Sequence, residues 1–338
     1  MTTKSAVATR VTAVGDHRGP TDPNTDMVWI PGGTFAMGSD DHYPEESPAH
    51  EVTVDGFWID RVTVRNRDFA RFVKETRHVT VAERAPRAAD YPGAKPEMLV
   101  PGSVVFVPPT HPVDLRHPHQ WWNYVPGADW RHPQGPGSSI KRKPDHPVVH
   151  LAWEDALAYA TWAGKQIPSE AEWEFAARGG LDGATYAWGD EFTPGGRWMA
   201  NTWQGPFPHD NTRDDGYEGT APVGVFPANG YGLHDMIGNV WEWTGDWYAP
   251  HSDSAHSCCS GDRRARSADP AAPNIPRRVV KGGSFLCAPT YCRRYRPAAR
   301  MGQPVDTSTC HVGLRCVVRS PDPPQGPPAR RGDGPDRS

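Results

Sequence analysis

From Met27 to Thr76, apolar and polar residues alternate first with a strand period and then with a helix period. "MVWIPGGTFAMGS" reads as a strand, a Pro-Gly-Gly turn and a second strand. "HEVTVDGFWIDR" alternates as a half-buried strand does. "TVRNRDFARFVKET" then places Phe69, Phe72 and Val73 on one helical face. A second helix is predicted over "EDALAYATWAGK", with Gly164 as its stop. In "PSEAEWEFAARGG", Ser169 and Glu172 form a capping box, and Gly179 and Gly180 end the helix. Beyond Gly180 the pattern shortens to turns and brief strands. The stretch from Arg77 to Asp145, rich in Pro and His, carries no period and reads as a long ordered loop region. No linker-like break or fixed repeat divides the chain. Residues 1–26 are polar and aperiodic, and residues 320–338 hold nine Pro or Gly in 19 positions. Both are expected to be disordered ends of one domain spanning 27–319.

Composition sharpens this outline. Only 37% of the 338 residues are hydrophobic, but 14 are Trp, each able to bury a large area. The 34 glycines and 37 prolines make up about a fifth of the chain, which fits a domain built largely of turns. A net charge of -4 offers no basic field for nucleic acid. No window of 18 apolar residues predicts a membrane span, and the first 26 residues lack the apolar core of a secretory signal. Six cysteines are too sparse for a disulfide-built scaffold. A reducing, cytoplasmic setting is therefore expected, where a close cysteine pair more often binds metal or reacts than staples.

The close pair is Cys287 and Cys292, in "KGGSFLCAPTYCRRYRPAAR". With Pro289 favouring a turn between them, the two sulfurs can converge. A local disulfide or two unrelated buried thiols would satisfy the spacing equally well. Two sulfurs are too few for tetrahedral zinc but suit a soft cation of low coordination number, of which monovalent copper is the natural candidate. Arg293, Arg294 and Arg296 favour thiolate nearby, or serve as structural ion-pair partners. Cys258 and Cys259 read as exposed loop thiols, and Cys316 as a core thiol. The segments "ANTWQGPFPHDNTRDDGYEG" and "NGYGLHDMIGNVWEWTGDWY" combine carboxylates and amides with tight glycine turns. That pattern serves calcium, or ordinary Asx turns. The 15 histidines are scattered, and no H-E-x-x-H, phosphate loop, dinucleotide fingerprint or G-x-S-x-G elbow occurs.

Taken together, "WIPGGTFAMGS", "HPVVHLAWEDALAYATWAGKQIPSEAEWEFAARGG", "YAWGDEFTPGGRWMANTWQGPFP", "TAPVGVFPANGYGLHDMIGNVWEWTGDWY", the cysteine tract and "HVGLRC" resemble the formylglycine-generating enzymes, or sulfatase-modifying factors, of bacterial type. The specific part is G-G-S-x-x-C-x4-C. The resemblance implies an α+β, C-type-lectin-like domain poor in regular secondary structure. It implies an oxidase that uses dioxygen to convert a cysteine in the C-x-P-x-R motif of an unfolded sulfatase to Cα-formylglycine. By resemblance, Cys287 and Cys292 hold Cu(I), and Ser284, Trp241, Tyr291, Arg294 and Ser308 occupy active-site or groove positions. One calcium site falls on Asn201, Thr202 (carbonyl), Asp215 and Tyr217 (carbonyl), and a second on Asp235, Gly238 (carbonyl), Val240 (carbonyl) and Glu242. The implied protein is a monomer whose partner is the sulfatase chain. Ala288, Arg293 and His311 depart from residues common in the family, and Ala160 and Ala177 stand where secretory members carry disulfide cysteines. The alternatives are a non-catalytic, calcium-stabilised lectin-like binding module and an oxidase of the same superfamily acting on another thiol.

Overall fold

The computed structural model describes residues 26–251 and 262–319. The expected disordered ends (apart from Asp26) and Cys258 and Cys259 lie outside the described residues. Four small sheets and a few short helices carry the chain. Strands β1 (Met27–Ile30) and β2 (Gly33–Met37) are both present but do not pair with each other. The "HEVTVDGFWIDR" segment is two strands, β3 (His50–Val54) and β4 (Phe57–Asp60), rather than one. The two halves pair with different strands, and a side chain at Gly56 between them would start 2.4 Å from the Trp29 ring, so only glycine fits there. β3 pairs with β2, and β4 pairs with β1, both antiparallel.

Helix α1 (Asn66–Thr76) buries Phe69, Phe72 and Val73, the face its period predicts. The Arg77–Asp145 stretch is not all loop. It contains an antiparallel hairpin of β5 (Gly102–Phe106) and β6 (Trp122–Pro126). Its strands escape the sequence because 15 residues rich in Pro and His separate them, so no tight turn marks the pair. Helix α2 (Trp153–Trp162) follows, with Gly164 at φ +67 just past its end. In α3 (Glu170–Arg178) the capping box is formed, with the Glu172 N–H donating to Ser169 Oγ at 3.1 Å and the Ser169 N–H to Glu172 Oε2 at 2.7 Å. Gly179 closes it in the left-handed conformation. Ala160 and Ala177 are fully buried on α2 and α3.

A four-stranded sheet finishes the domain. Its spatial order is β10 (Val312–Gly313), β7 (Trp241–Trp247), β8 (Arg277–Lys281) and β9 (Arg300–Pro304), and a one-turn helix α4 (Arg263–Arg266) precedes β8. The last strand, β11 (Val317–Val318), returns to pair with β4, so the two ends of the domain share one sheet. With Asp26 to Arg319 folded around shared cores and no separate unit, this is one α+β domain of C-type-lectin-like kind. Among the described residues no helix is long and apolar enough to cross a membrane.

Helix α3 binds this irregular framework together through its acidic face. Glu170 and Glu174 lie one turn apart on it, and both are buried. Glu174 accepts hydrogen bonds from Lys281 Nζ at 2.8 Å and Arg178 at 2.7 Å. Glu170 receives Arg300 Nε at 2.6 Å and Nη2 at 2.8 Å. Burial opposes ionisation of Glu170, yet Arg300 and Lys281 beside it hold its carboxyl well below the usual range. Elsewhere Arg296 pairs with Glu46, and Arg315 with Glu242, again out of water. Removing one partner of such a pair strands a buried charge. Glu174→Ala is therefore expected to cost about 3–5 kcal/mol, and Ser169→Ala about 1 kcal/mol, as read from urea denaturation midpoints.

Candidate active site

Lys281 is the last residue of β8 and leads into the cysteine tract. Gly282 and Gly283 follow at φ +94 and +73. A Cβ on Gly283 would lie 2.9 Å from the Arg294 carbonyl oxygen, and one on Gly282 would lie 2.9 Å from that of Met236. Only glycine allows this approach. The chain then turns twice. The Ser284 carbonyl accepts the Cys287 N–H at 2.9 Å, and the Ala288 carbonyl accepts the N–H groups of Tyr291 (3.2 Å) and Cys292 (3.0 Å). The result places the two sulfurs 3.1 Å apart. That is well beyond the ~2.05 Å of a covalent disulfide, and both cysteines are free.

The two thiols are not equivalent. Cys287 is fully buried, and burial pushes its thiol up. Cys292 is half-buried. The hydrogen bond from Cys287 lowers it first, and the Arg294 guanidinium adds to the effect, bringing it to about 7. Arg294 Nη1 lies 3.8 Å from the Cys292 sulfur. The backbone N–H of Ser284 donates to the Cys287 sulfur at 3.4 Å, and the Ser284 hydroxyl accepts the Leu286 N–H at 3.2 Å. The two sulfurs are close enough to share a hydrogen bond, and Cys292 is the thiol that ionises more readily.

The sulfurs lie in an open cleft of about 540 Å³. One wall is aromatic: Trp122, Phe207, Trp241 and Tyr291. Phe207 and Tyr291 stack at 4.5 Å, and Tyr291, 37% exposed, stands edge-on to Trp121 at 5.5 Å. Gln303, Thr309 and His311 also line it. His311 packs on Trp122 at 4.8 Å and shares a 2.9 Å hydrogen bond with Thr309, and burial pushes its pKa down to about 3. Tyr43 and Arg294 form the rim, the guanidinium lying 4.0 Å from the ring centroid.

Six of the residues expected at the site, Ser284, Trp241, Cys287, Tyr291, Cys292 and Arg294, line this one cleft. Ser308 does not. Its neighbours Thr307 and Thr309 do, while its own hydroxyl is 2.6 Å from Ser103 Oγ, which in turn bonds His150 Nδ1 at 2.7 Å. Of the first expected calcium set, Asp215 accepts the N–H groups of Thr202 (3.0 Å) and Tyr217 (2.9 Å). Burial raises the Asp215 carboxyl, and the buried Asn201 Oδ1 has no hydrogen-bond partner. Both features suit a cation. In the second set, burial pushes Asp235 up to about 6, so it lacks a full counter-charge. Glu242, however, is engaged by Arg315 (3.0 Å) and Trp173 Nε1 (2.7 Å). Among the described residues no cluster of three or more His, Cys, Asp or Glu side chains forms a metal site.

Sequence reasoning missed Tyr43, Trp122, Phe207 and the Glu45 carboxylate that holds Arg294 Nε at 3.0 Å. For Glu45 and Glu46 a signal existed. Two adjacent acids in "YPEESP" answer the arginines of "RRYR". The aromatic residues carry no spacing that places them together.

The site is a pair of free cysteines lining one open cleft of an α+β, lectin-like domain. The profile described as "Sulfatase-modifying factor enzyme 1-like domain" matches residues 15–320. The formylglycine-generating enzyme of Mycobacterium tuberculosis is 54% identical over 305 residues, covering 89% of this chain and 99% of that protein. The mouse protein named inactive C-alpha-formylglycine-generating enzyme 2 is 39% identical, covering 86% of this chain and 85% of its own. Among solved structures, PvdO from Pseudomonas aeruginosa aligns at a TM-score of 0.56 and 26% identity, over 86% of this chain and 93% of that one. The chain belongs to the formylglycine-generating enzyme family. For the metal-free protein, iodoacetamide is expected to alkylate Cys292 before Cys287. The Cys292 rate should rise as pH passes about 7, where thiolate replaces thiol. Peptide mass mapping across pH checks both statements.

Proposed function

We propose that this protein is a dioxygen-using oxidoreductase that converts the cysteine of a C-x-P-x-R motif in an unfolded sulfatase to Cα-formylglycine. The observation that carries the reading is the pair of free sulfurs, 3.1 Å apart, lining an open cleft rich in aromatic side chains. The donor set fits Cu(I), since two soft sulfurs converge and one of them ionises readily. When bound, the copper ion supplies the one-electron chemistry with dioxygen that side chains lack.

The chain's own groups do the rest. Both sulfurs must shed their protons to bind metal, Cys292 more readily than Cys287. Arg294 offsets the negative charge this leaves, and the Ser284 amide holds Cys287 in place. Trp122, Phe207 and Tyr291 take an extended peptide and exclude water from its reacting carbon. Overall, the client Cβ–H and S–H hydrogens are removed to give a thioaldehyde. Water then replaces sulfur to give the aldehyde and hydrogen sulfide. An external two-electron reductant completes reduction of dioxygen to water.

In a second reading dioxygen oxidises the pair to a disulfide, itself becoming hydrogen peroxide. The client thiolate then attacks that disulfide, forming one S–S bond as the other breaks, with Cys292, the more acidic thiol, suited to leave. In a third, the domain binds peptide without catalysis. Calcium belongs to the proposal at Asn201, Thr202, Asp215 and Tyr217, where the unpartnered amide oxygen favours it. At Asp235, Gly238, Val240 and Glu242 the fit is weaker, because Arg315 already neutralises Glu242. The proposed setting is the cytoplasm, and the proposed state a monomer acting on nascent sulfatase.

Cys287→Ser and Cys292→Ser are each expected to yield no aldehyde from a C-x-P-x-R peptide, read by mass spectrometry. Chelation should silence the parent protein and copper should restore it. Persistence of turnover after rigorous chelation favours the exchange scheme, and full activity of either serine variant rules out both. Added calcium should raise the melting temperature of the metal-stripped protein. Asp215→Ala should abolish that rise, as differential scanning fluorimetry would read.

A further inference from the structure

The three arginines of the tract differ in what neutralises them. Arg294 Nε donates to Glu45 at 3.0 Å, and Arg296 Nη1 donates to Glu46 at 2.7 Å. Both carboxylates come from one 3-10 turn, Pro44–Glu46. Arg293 has no carboxylate within ion-pair distance among the described residues. Its Nη2 donates to the Tyr186 hydroxyl at 3.1 Å, and its backbone N–H donates to the Tyr43 hydroxyl at 3.0 Å. A phenol fixes a guanidinium but does not cancel its charge.

Arg293 is exposed, and Tyr186 beneath it is buried and stacked on Tyr295 and Trp188 at 6.2 and 5.4 Å. The guanidinium is therefore held by a rigid support, with most of its five N–H donors left for a ligand. The Arg293 side chain lies outside the residues that line the cleft, but Arg293 follows Cys292 directly in the chain, and its backbone N–H is tied to Tyr43, which does line the cleft, so it borders the path of a bound peptide's flanks. His42 nearby is pushed down by burial and then by Arg296 and Arg293, so the Arg293 charge is felt there.

The geometry points to Arg293 as a specificity-determining residue that selects client segments carrying an Asp or Glu close to the reacting cysteine. The inference rests on the proposal that the cleft binds a peptide, and it adds which peptides bind best. An exposed arginine–carboxylate contact is worth about a two- to fivefold preference. It weakens as salt shortens the reach of the charge.

The test is a panel of C-x-P-x-R peptides. The reference has alanine at every free and flanking position, and in the others a single Asp or a single Lys is walked along those positions. Binding by tryptophan fluorescence and kcat/KM by mass spectrometry are measured for the parent, Arg293→Asn and Arg293→Glu. At one or two positions Asp is expected to improve the parent's binding and kcat/KM about two- to fivefold at low salt. The preference should fall to about one in Arg293→Asn and turn towards Lys in Arg293→Glu. Absence of any Asp preference in the parent's binding, or a preference that survives in Arg293→Asn, overturns the assignment. Turnover of the all-alanine reference reports separately on the oxidase, so a bound but unconverted peptide counts against the proposed function while the Asp preference in binding still decides Arg293.

Discussion

Two carboxylates one turn apart on α3 hold the strand that feeds the cysteine tract. Glu174 fixes Lys281, and Glu170 fixes Arg300, so the end of β8 and the start of β9 are pinned to the same helix face. The tract between them, residues 282–299, contains no helix or strand. Its shape depends on where it is anchored and on two glycines that let backbone pass backbone. Remove the anchor and the sulfurs lose their common position, although neither touches a carboxylate.

The same logic explains how so little regular structure supports an exact site. Irregular backbone buries peptide groups that no ladder satisfies, and buried charged side chains take over. Arg315 donates to the Asp60 and His234 carbonyls while pairing with Glu242, and Arg300 donates to the Ala249 carbonyl while pairing with Glu170. Each arginine neutralises one acid and ties down loop carbonyls that would otherwise be stranded. The rim follows suit, since Arg294 links the Glu45 turn to Cys292. A charge pair thus reaches from the first third of the chain to the reactive sulfur.

Local signals were legible in the sequence. The capping box of α3, the buried face of α1 and the glycine stops all formed where the pattern placed them. The cysteine pair was legible as a motif, and four residues tied to it by resemblance, Trp241, Ser284, Tyr291 and Arg294, line the same cleft. What stayed hidden depends on contacts distant in sequence. The glycine required at position 56 answers to Trp29 on a neighbouring strand. The β5–β6 hairpin has no turn signature, because its strands are joined by a long proline-rich connection. Phe207 and Trp122 meet Tyr291 and His311 only through tertiary packing. Ser308, expected at the site, is absent from the cleft lining and instead bonds Ser103, a partner 205 residues distant. Separation of that kind leaves no periodic trace.

The central claim is that Cys287 and Cys292 act as one pair of soft donors facing the cleft. X-ray absorption spectroscopy of the protein loaded with one equivalent of Cu(I), without client peptide, addresses it most directly. The account predicts a first shell of two sulfur atoms, reduced to one in either serine variant. A first shell of nitrogen or oxygen, or a sulfur count unchanged by those substitutions, would contradict it.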